Sequence, residues 1–517
     1  LLTGKNPHAV GCGWLTHNNP GYPGYQAGEI SPDAPTMPEL LRGLGYSTYG
    51  VGKWHNTADY HIGSGSDRQA WPLQRGFDRF YGFLGSETHF FSPHHLIDGN
   101  EFLSIDAYAP DYYATRDWTD RSIQYLRGHQ SSTPDKPFFL YLAHNAPHVP
   151  LQAPAEAIAR YAGVYDQGWD RQRELRFARQ RAMGLIGPDW RLSQANPGVP
   201  RWDDVPEDKR PLMAHYMQVY AAMVELVDQE VGRLVAELKA LGVYDNTLIV
   251  LTSDNGANSI GGPEGTVNTM EKRVARATEA EMAQKAQQAF EQGVVGGSDT
   301  FVAYPVGWAN CSNTPFRFYK RTPMNGGIRV PFILSHPKSV KDAGAVRTQW
   351  IHVTDTLPTV LEMIGASYPP SFNGHATRGL DGSSYLDMLK HAQAPAQRTR
   401  QHFELEGNRG MIMYPWKVVS LQPMSKPIDL NNWLLFNLDT DPTECDNLAL
   451  SHADILQQLI AEFEIDAQSN QVYPLDNRTP LQKFNEIPPQ QRPAPSGTRR
   501  FLPGGQTVHR STIIPLI

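Results

Sequence analysis

The chain has 517 residues, which is long enough for one large α/β domain with an appendage. Its composition, 40% hydrophobic and 19% charged, is that of an ordinary globular protein. A net charge of −7 and a pI near 6.2 provide no basic field for a nucleic-acid backbone, and no apolar run approaches the roughly 18 residues of a membrane span, so neither partner is expected.

The three cysteines, Cys12, Cys311 and Cys445, are too few for a disulfide framework. Their positions also lack the paired Cys-x-x-Cys spacing of a zinc site. We interpret each of them as a buried or incidental thiol.

The first predicted elements are a short helix and the strand that follows it. The helix begins at residues 38–41 and ends at Gly43 and Gly45, and the strand then leads into Lys53 and His55. Cationic donors at i and i+2 on extended backbone point the same way, and the glycines of residues 45–52 leave room for a ligand, as an anion site requires.

A second strand is predicted at residues 138–142, where the run is wholly apolar. It leads into the loop of residues 144–150, which carries His148 between two prolines. In sheets with helices on both faces, ligands gather outside the carboxyl ends of the strands. The loop therefore belongs to the same predicted ligand-binding edge as Lys53.

The clearest helix is predicted from about Glu207 to Leu241, with Gly242 as its stop. Its apolar stripe consists of Met213, Met217, Tyr220, Val224, Val227, Val231, Leu234 and Leu238. A buried strand follows at residues 247–251 and ends in Asp254 and Asn255, whose carboxylate and amide oxygens are hard donors suited to Ca²⁺ or Mg²⁺.

Residues 257–310 lack strand periodicity and are predicted to be an insertion that walls the cleft, with one alanine-rich helix from about 270 to 292. From about residue 400 the pattern predicts short strands at 402–405, 416–421 and 433–438 and a helix at 452–465. After residue 467 the chain is rich in Pro, Gln and Arg.

The whole pattern predicts an α/β fold: a large, mostly parallel or mixed sheet sandwiched by helices, plus a small C-terminal antiparallel sheet with one helix. We expect a catalytic α/β domain at 1–395, an α+β subdomain at 396–470 and an extended Pro-rich tail or linker at 471–517. The tail is expected to be poorly packed.

Taken together, the residues at these strand ends suit the metal-assisted hydrolysis of an anionic ester. Lys53 and Lys320 supply cationic donors, and His55 and His148 can move protons near neutral pH. Each also has a structural interpretation: Asp-Asn-Gly is commonly a turn, Pro-His-Val-Pro a rigid loop, and Lys320 part of a solvated basic face. Their joint occurrence in this order favours a site.

That order resembles the sulfatase family of the alkaline-phosphatase-like superfamily, up to about residue 470, and is most similar to bacterial arylsulfatases. The resemblance rests on motifs in several parts of the chain. They are Leu-Leu-Thr-Gly-Lys at 1–5, Gly-Tyr-x-Thr-x-x-x-Gly-Lys-Trp-His at 45–55, Ala-Pro-His-x-Pro-x-Gln-Ala-Pro at 146–154, Thr-Ser-Asp-Asn-Gly at 252–256, Lys320 with Gly-Gly-Ile-Arg-Val-Pro at 326–331, and Leu-x-x-Asp-Pro-x-Glu-x-x-Asn-Leu at 438–448.

The resemblance implies roles for these residues. Asp254 and Asn255 are expected to be calcium ligands, with Mg²⁺ less expected. The sulfate pocket is expected to contain Lys53, His55, His148 and Lys320, with Ser86 as a substrate contact that has an equally good structural interpretation. We assign His148 as general acid on the leaving oxygen, His55 to breakdown of the sulfated diol, and Asp254 as acceptor of the proton of the attacking hydroxyl.

Two departures from the family pattern stand out. Asn325 precedes Gly-Gly-Ile-Arg-Val-Pro where many relatives have Glu. None of the three cysteines stands in Cys-x-Pro-x-Arg, and the first strand with its paired metal-binding aspartates is not in the sequence. The resemblance places a formylglycine-forming Cys or Ser seven residues before Leu1, made by a formylglycine-generating enzyme, so the 517-residue chain is expected to be truncated there and inactive alone.

The predicted function is hydrolysis of a small sulfate ester. One alternative is a phosphonate monoester or phosphodiester hydrolase of the same fold, because phosphoryl and sulfuryl groups share a tetrahedral shape. Another is a non-catalytic protein that binds sulfate esters, which a formylglycine motif upstream of Leu1 would reject.

The apolar residues 511–517 suggest a cut C-terminus as well. The natural substrate and the compartment, bacterial periplasm or cytoplasm, are not determined.

Overall fold

The computed structural model of the protein describes residues 1–17, 19–273, 277–479 and 482–483. Its helices are α1 (Met37–Gly43), α2 (Ala114–Ser132), α3 (Ala155–Ala159), α4 (Gly168–Ala182), α5 (Arg210–Ala240), α6 (Thr269–Arg273), α7 (Glu279–Glu291), α8 (Val306–Ser312), α9 (Asn325–Ile328), α10 (Thr356–Met363), α11 (Leu386–Lys390) and α12 (Ala453–Ser469). Its strands are β1 (Ser47–Lys53), β2 (Arg79–Phe83), β3 (Ile97–Asp98), β4 (Glu101–Phe102), β5 (Phe138–Ala143), β6 (Ile249–Thr252), β7 (Phe332–Ser335), β8 (Ser371–Phe372), β9 (His375–Ala376), β10 (Arg400–Leu405), β11 (Asn408–Met413), β12 (Trp416–Ser420) and β13 (Leu434–Asn437). The predicted α/β class, with a small C-terminal antiparallel sheet, is confirmed.

The main sheet is mixed and has the strand order β4-β3-β2-β1-β5. β1 runs parallel to both β2 and β5, whereas β3 and β4 are antiparallel additions at one edge. β1 is buried along its whole length except at Lys53, which is the pattern of a strand covered on both faces. The predicted strand before Lys53 and the predicted strand at 138–142 are therefore neighbours, and their following loops leave the same edge.

Glycine is required where β1 passes between its neighbours. Gly52 lies opposite Gly82 on β2 and opposite Ala143 on β5. Its φ is +99°, and a Cβ there would lie 2.1 Å from the Ala143 carbonyl oxygen. The close approach of these three strands fixes the position of Lys53, the next residue.

β6 and β7 form a separate antiparallel pair, with Ile249 opposite Ser335. Among the residues that the structure describes, β5 pairs only with β1 and β6 only with β7, so β6 and β7 form a small sheet of their own beside the five-stranded mixed sheet. Between the two sheets lies a cavity of ≈ 3360 Å³, lined by every residue of β5 and of β6. The sequence predicted both strands, but apolar patterning does not specify which edges pair.

The predicted long helix is confirmed as α5, which packs against α2 and α3. The ends of its apolar stripe are buried, as at Met213 and Leu238, which are each 4% exposed. The middle of the stripe borders the cavity instead, and Val224 is 44% exposed there. Gly242 follows the helix with a φ of +72°, as a C-terminal stop requires.

The single helix expected at about 270–292 is wrong. The described residues form two helices, α6 and α7, because Thr278 adopts an extended conformation and begins the second one. Its hydroxyl accepts the Glu281 N–H, and the Glu281 carboxylate accepts the Thr278 N–H. This reciprocal capping box favours a helix start over continuation.

The C-terminal subdomain is an antiparallel sheet in the order β10-β11-β12-β13, against which α12 packs. Its core contains Met411, Val418, Leu435 and Phe463. Three of the four strands were predicted. β11 was missed because Gly410 interrupts its apolar pattern, although Gly410 pairs in register with Phe403.

The segment after residue 470 lacks regular structure up to residue 479, as expected for an extended tail, but it is not poorly packed there. Val472 is fully buried, and its carbonyl accepts the Tyr25 hydroxyl at 2.8 Å. Lys483 Nζ lies 3.3 Å from the centre of the Trp14 ring. The apolar stretch 511–517 lies outside the described residues.

The helices of the described ranges include none that is both long enough and apolar enough to cross a bilayer.

Candidate active site

Lys53 ends β1 and lines the cavity, where it is only partly exposed. Burial, and then the positive charge of the neighbouring Lys320, lower the pKa of its ammonium group to about 8, whereas Asp254 and Glu87 act in the opposite direction. These electrostatic partners come from distant parts of the chain. The fold therefore brings Lys53, Lys320 and Asp254 into one neighbourhood.

His55 follows two residues later, where the chain turns away from the sheet. Its φ of +51° is left-handed, and its N–H donates to the Leu84 carbonyl at 3.1 Å. Burial, and then the positive fields of Lys53 and His148, hold the pKa of its imidazole well below the ordinary value. His55 is therefore uncharged at neutral pH and available to accept a proton.

His148 lies in the loop after β5, which is anchored by Asn145. The Trp118 indole N–H donates to the Asn145 side-chain oxygen at 2.9 Å, and the His148 N–H donates to the Asn145 carbonyl at 2.8 Å. The Nδ1 atom of His148 is 2.8 Å from the Val149 carbonyl oxygen, which can only accept. Nδ1 therefore carries the proton, and Nε2 is the atom that exchanges a second proton.

Asp254 and Asn255 follow β6, and a close backbone approach holds their loop. The Gly256 N–H donates to the Gly327 carbonyl at 3.0 Å, and a Cβ on Gly256 would lie only 1.7 Å from the Gly326 carbonyl oxygen. The Asn255 side-chain amide donates to the Gly256 carbonyl, which turns its Oδ1 away from that contact.

Lys320 is joined to the same loop through its backbone, because its N–H donates to the Ala257 carbonyl at 2.9 Å. The solvated basic face that its neighbours suggested does not form. Arg321 makes an ion pair with Glu406, and Arg317 donates to the Glu444 carbonyl at 2.9 Å. Lys320, Arg321 and Arg317 therefore have different contacts and do not form one basic surface.

All the residues singled out from the sequence line the cavity between the two sheets. They are Lys53, His55, Ser86, His148, Asp254, Asn255 and Lys320. Ser86 is 6% exposed and lies just beyond the carboxyl end of β2. The structure thus brings these residues to one cavity, and their chemical roles stay predictions.

Sequence reasoning missed two charged or titratable neighbours of this group. Glu87 raises the pKa of Lys53, and His17 is one of the groups that lower the pKa of His55. Glu87 could have been found, because it follows Ser86 at the carboxyl end of a parallel strand. His17 lies in a segment without strand or motif, so no pattern in the sequence marked it.

The donors present suit calcium in kind but not in number. Asp254 and Asn255 offer a carboxylate and an amide oxygen, whereas Ca²⁺ takes about six to eight oxygens. Within the described ranges, no group of three or more His, Cys, Asp or Glu side chains is placed to hold a metal. These two residues can therefore supply only part of a calcium site.

We expect residues 1–517 to bind Ca²⁺ weakly, because one carboxylate provides less charge than a tight site needs. Isothermal titration calorimetry with CaCl₂ tests this, with Asp254→Asn as the variant that removes the charge. A submicromolar affinity for the wild-type chain would contradict the expectation, as would an affinity that Asp254→Asn leaves unchanged.

Comparison with known proteins shows the family to which the chain belongs. Residues 1–366 match the family described as Sulfatase. An uncharacterized sulfatase of Schizosaccharomyces pombe is 30% identical over 496 residues, covering 89% of this chain and 82% of that protein. An arylsulfatase of Klebsiella aerogenes is 31% identical over 383 residues, covering 71% of this chain and 75% of the enzyme. The chain belongs to the sulfatase family.

Solved structures agree on the fold. The crystal structure of Ps i-CgsB superposes with a TM-score of 0.60 at 22% identity, covering 95% of this chain and 86% of that one. A protein in complex with its substrate D-glucosamine-2-N,6-O-disulfate has a TM-score of 0.54 at 18% identity, with 92% and 88% covered. A phosphonate monoester hydrolase of Silicibacter pomeroyi has a TM-score of 0.51 at 17% identity, with 91% and 84% covered. At these identities the likeness concerns the fold alone.

Proposed function

We propose that the protein is a sulfuric ester hydrolase of the arylsulfatase type, acting on a small anionic sulfate ester. One observation carries the proposal: Lys320, Asp254 and His148 come from three separate segments and lie close enough to Lys53 and His55 to shift the pKa values of these two residues. Family membership supports the same chemistry.

The lysines are assigned to the sulfuryl group. A tetrahedral oxyanion needs positive charge held in place before the reaction begins, because such preorganised charge is worth most where water is excluded. Burial of Lys53 and its repulsion from Lys320 are the reasons that its pKa falls to about 8. An anion between the two ammonium groups would relieve that repulsion, so the site is poised to bind one.

The histidines are assigned to proton transfer. His148 keeps a proton on Nδ1 through its contact with the Val149 carbonyl, so in the imidazolium form it carries a second proton on Nε2, which it can give to the leaving oxygen. His55 is uncharged at neutral pH and can take a proton in the second half of the cycle. Asp254 is our candidate for the acceptor of the nucleophile's proton.

Two groups outside these residues complete the proposal. A formylglycine, which the family resemblance implies, would supply the attacking hydroxyl. Asp254 and Asn255 would hold part of a calcium site, and the ion would supply further positive charge. A formylglycine-generating enzyme is then a required partner of the whole protein.

Hydrolysis of a phosphonate monoester or phosphodiester is the second candidate, and the likeness in fold to the Silicibacter pomeroyi enzyme favours it. The same lysines would bind a phosphoryl group of nearly the same shape. Relative rates on aryl sulfate and phosphodiester substrates separate the two. The third candidate, a non-catalytic sulfate-ester binder, predicts anion binding without turnover of either substrate.

The assignment of Lys53 predicts a pH dependence of anion binding that does not require turnover. Lys53 must be protonated to bind sulfate, so raising the pH through about 8 should weaken the affinity for inorganic sulfate. Lys53→Arg should remove this dependence, because arginine stays charged over the whole range. Calorimetric titration of residues 1–517 with sodium sulfate between about pH 6.5 and 9.5 checks both expectations.

The matched control is Lys285→Arg, since Lys285 lies on α7, pairs with Glu271 at 2.8 Å and does not line the cavity. It should retain the wild-type pH profile. An unchanged profile in Lys53→Arg would show that another group controls sulfate binding.

A further inference from the structure

A fully buried ion pair lies in the C-terminal subdomain, outside the group of residues assigned to catalysis. Lys417 Nζ on β12 is 2.6 Å from Glu444 Oε1, and both side chains are 0% exposed. Burial lowers the pKa of Lys417, and Glu444 is the main group that opposes this shift. Such a pair costs desolvation energy, and removing one partner leaves an uncompensated buried charge.

The third member of the cluster is Asn325, the residue that departs from the family pattern. Its side-chain oxygen accepts from Lys417 Nζ at 2.8 Å, and its N–H donates to Glu444 Oε2 at 2.7 Å. Its side-chain amide donates to the Pro442 carbonyl at 2.9 Å. The subdomain therefore holds Asn325 by its backbone and by both ends of its amide.

Asn325 is also the first residue of α9, whose next two residues are Gly326 and Gly327. The Gly326 N–H donates to the Arg317 carbonyl at 2.8 Å, and the Gly327 carbonyl accepts from Gly256. A Cβ on Gly327 would lie 2.2 Å from the Thr322 carbonyl oxygen, so this turn fits tightly among its neighbours. Gly256 directly follows the Asp254–Asn255 pair.

These contacts form a continuous path from the subdomain to the candidate site. It runs from the Lys417–Glu444 pair to Asn325, through the 326–327 turn to Gly256, and so to Asp254 and Asn255. We propose that Glu444 and Lys417 are positioning residues, which hold the loop of the candidate metal ligands in place from the C-terminal subdomain. The importance of that loop for catalysis rests on the proposed function, but the mechanical coupling does not.

Hydrogen–deuterium exchange of Glu444→Gln tests the coupling without any requirement for activity. The variant keeps the shape of the side chain but leaves Lys417 without a counter-charge. The amides of Gly256 and Lys320 are held by the contacts in question, and we expect them to exchange about tenfold faster or more. Amides of β1 and β5, which lie outside this path, should keep their wild-type rates.

Glu404→Gln is the matched control. Glu404 is a buried carboxylate of the same subdomain, and its side chain pairs with His8 at 2.8 Å rather than with the 325–327 turn. It should lower the unfolding temperature without selectively accelerating hydrogen exchange at the Gly256 and Lys320 amides. If Glu444→Gln leaves the exchange of both amides unchanged, or if Glu404→Gln releases them equally, the proposal is wrong.

Should Glu444→Gln fail to fold, the double variant Lys417→Met/Glu444→Gln keeps the test decisive, because it leaves no unpaired buried charge. Its loop amides should still exchange faster than in the wild type, and wild-type rates would overturn the proposal.

In the catalytically competent protein, kcat should fall more than KM rises. Faster loop exchange in a protein without sulfatase activity would reject the proposed function and leave the coupling intact.

Discussion

Replacing His148 with alanine is expected to slow hydrolysis of sulfate esters with poor leaving groups by about 10²- to 10⁴-fold. An alkoxide must be protonated as it departs, and His148 Nε2 is the group assigned to do so. An activated aryl sulfate should lose much less, because its phenolate needs little protonation. The measurement is kcat on an alkyl sulfate and on 4-nitrophenyl sulfate, in protein prepared with the proposed formylglycine.

His144→Ala is the control for that comparison. His144 lies in the same loop and lines the same cavity, and burial lowers the pKa of its imidazole to about 4. It has no assigned part in proton transfer, so its loss should affect both substrates equally and slightly. Equal large losses in His148→Ala on both substrates would instead assign His148 to sulfate binding.

The second large effect is expected from Gly256→Ala. The new Cβ would lie 1.7 Å from the Gly326 carbonyl oxygen, so the loop of Asp254 and Asn255 or the 326–327 turn must move. Overpacking of this kind costs about 1–3 kcal/mol of stability. A displacement of about 1 Å at a catalytic loop can cost 10²-fold in rate. Thermal unfolding and kcat/KM, measured together, check both parts.

Gly85→Ala provides the comparison at a glycine with space around it. Gly85 precedes Ser86, and a Cβ there meets no atom within 4 Å. Its substitution should leave stability and activity near the wild-type values. If Gly256→Ala behaves like Gly85→Ala, the close approach at Gly256 does not hold the loop.

Elements with a local signal were predicted correctly from the sequence. The 3.6-residue stripe of α5 and the apolar runs of β5 and β6 needed no knowledge of their partners. The pairing of β6 with β7 was not predictable in this way, because it joins segments about 80 residues apart and apolar patterning does not specify strand partners. β11 forms through its pairing with β10, and the break at Thr278 arises because that residue caps α7. Both effects override local composition.

In the candidate site, too, only the residues that accompany a local sequence signal could be predicted. Lys53, His148 and Asp254 follow strands, so their meeting at one cavity could be expected from the topology of α/β sheets. The contribution of His17 depends on a segment that has no regular structure. The Lys417–Glu444–Asn325 cluster depends on packing between two parts of the chain that are about 90 residues apart. Only the folded structure shows such contacts.

Hydrolysis of sulfate esters in preference to phosphoryl substrates is the activity that we propose for this cavity. Its most direct test is kcat/KM on 4-nitrophenyl sulfate against bis(4-nitrophenyl) phosphate, in protein prepared with the proposed formylglycine, with Lys53→Ala measured alongside. We expect the sulfate ester to be the better substrate, and Lys53→Ala to reduce both activities strongly. A higher kcat/KM on the phosphodiester, or sulfate hydrolysis that survives Lys53→Ala unchanged, would contradict the account.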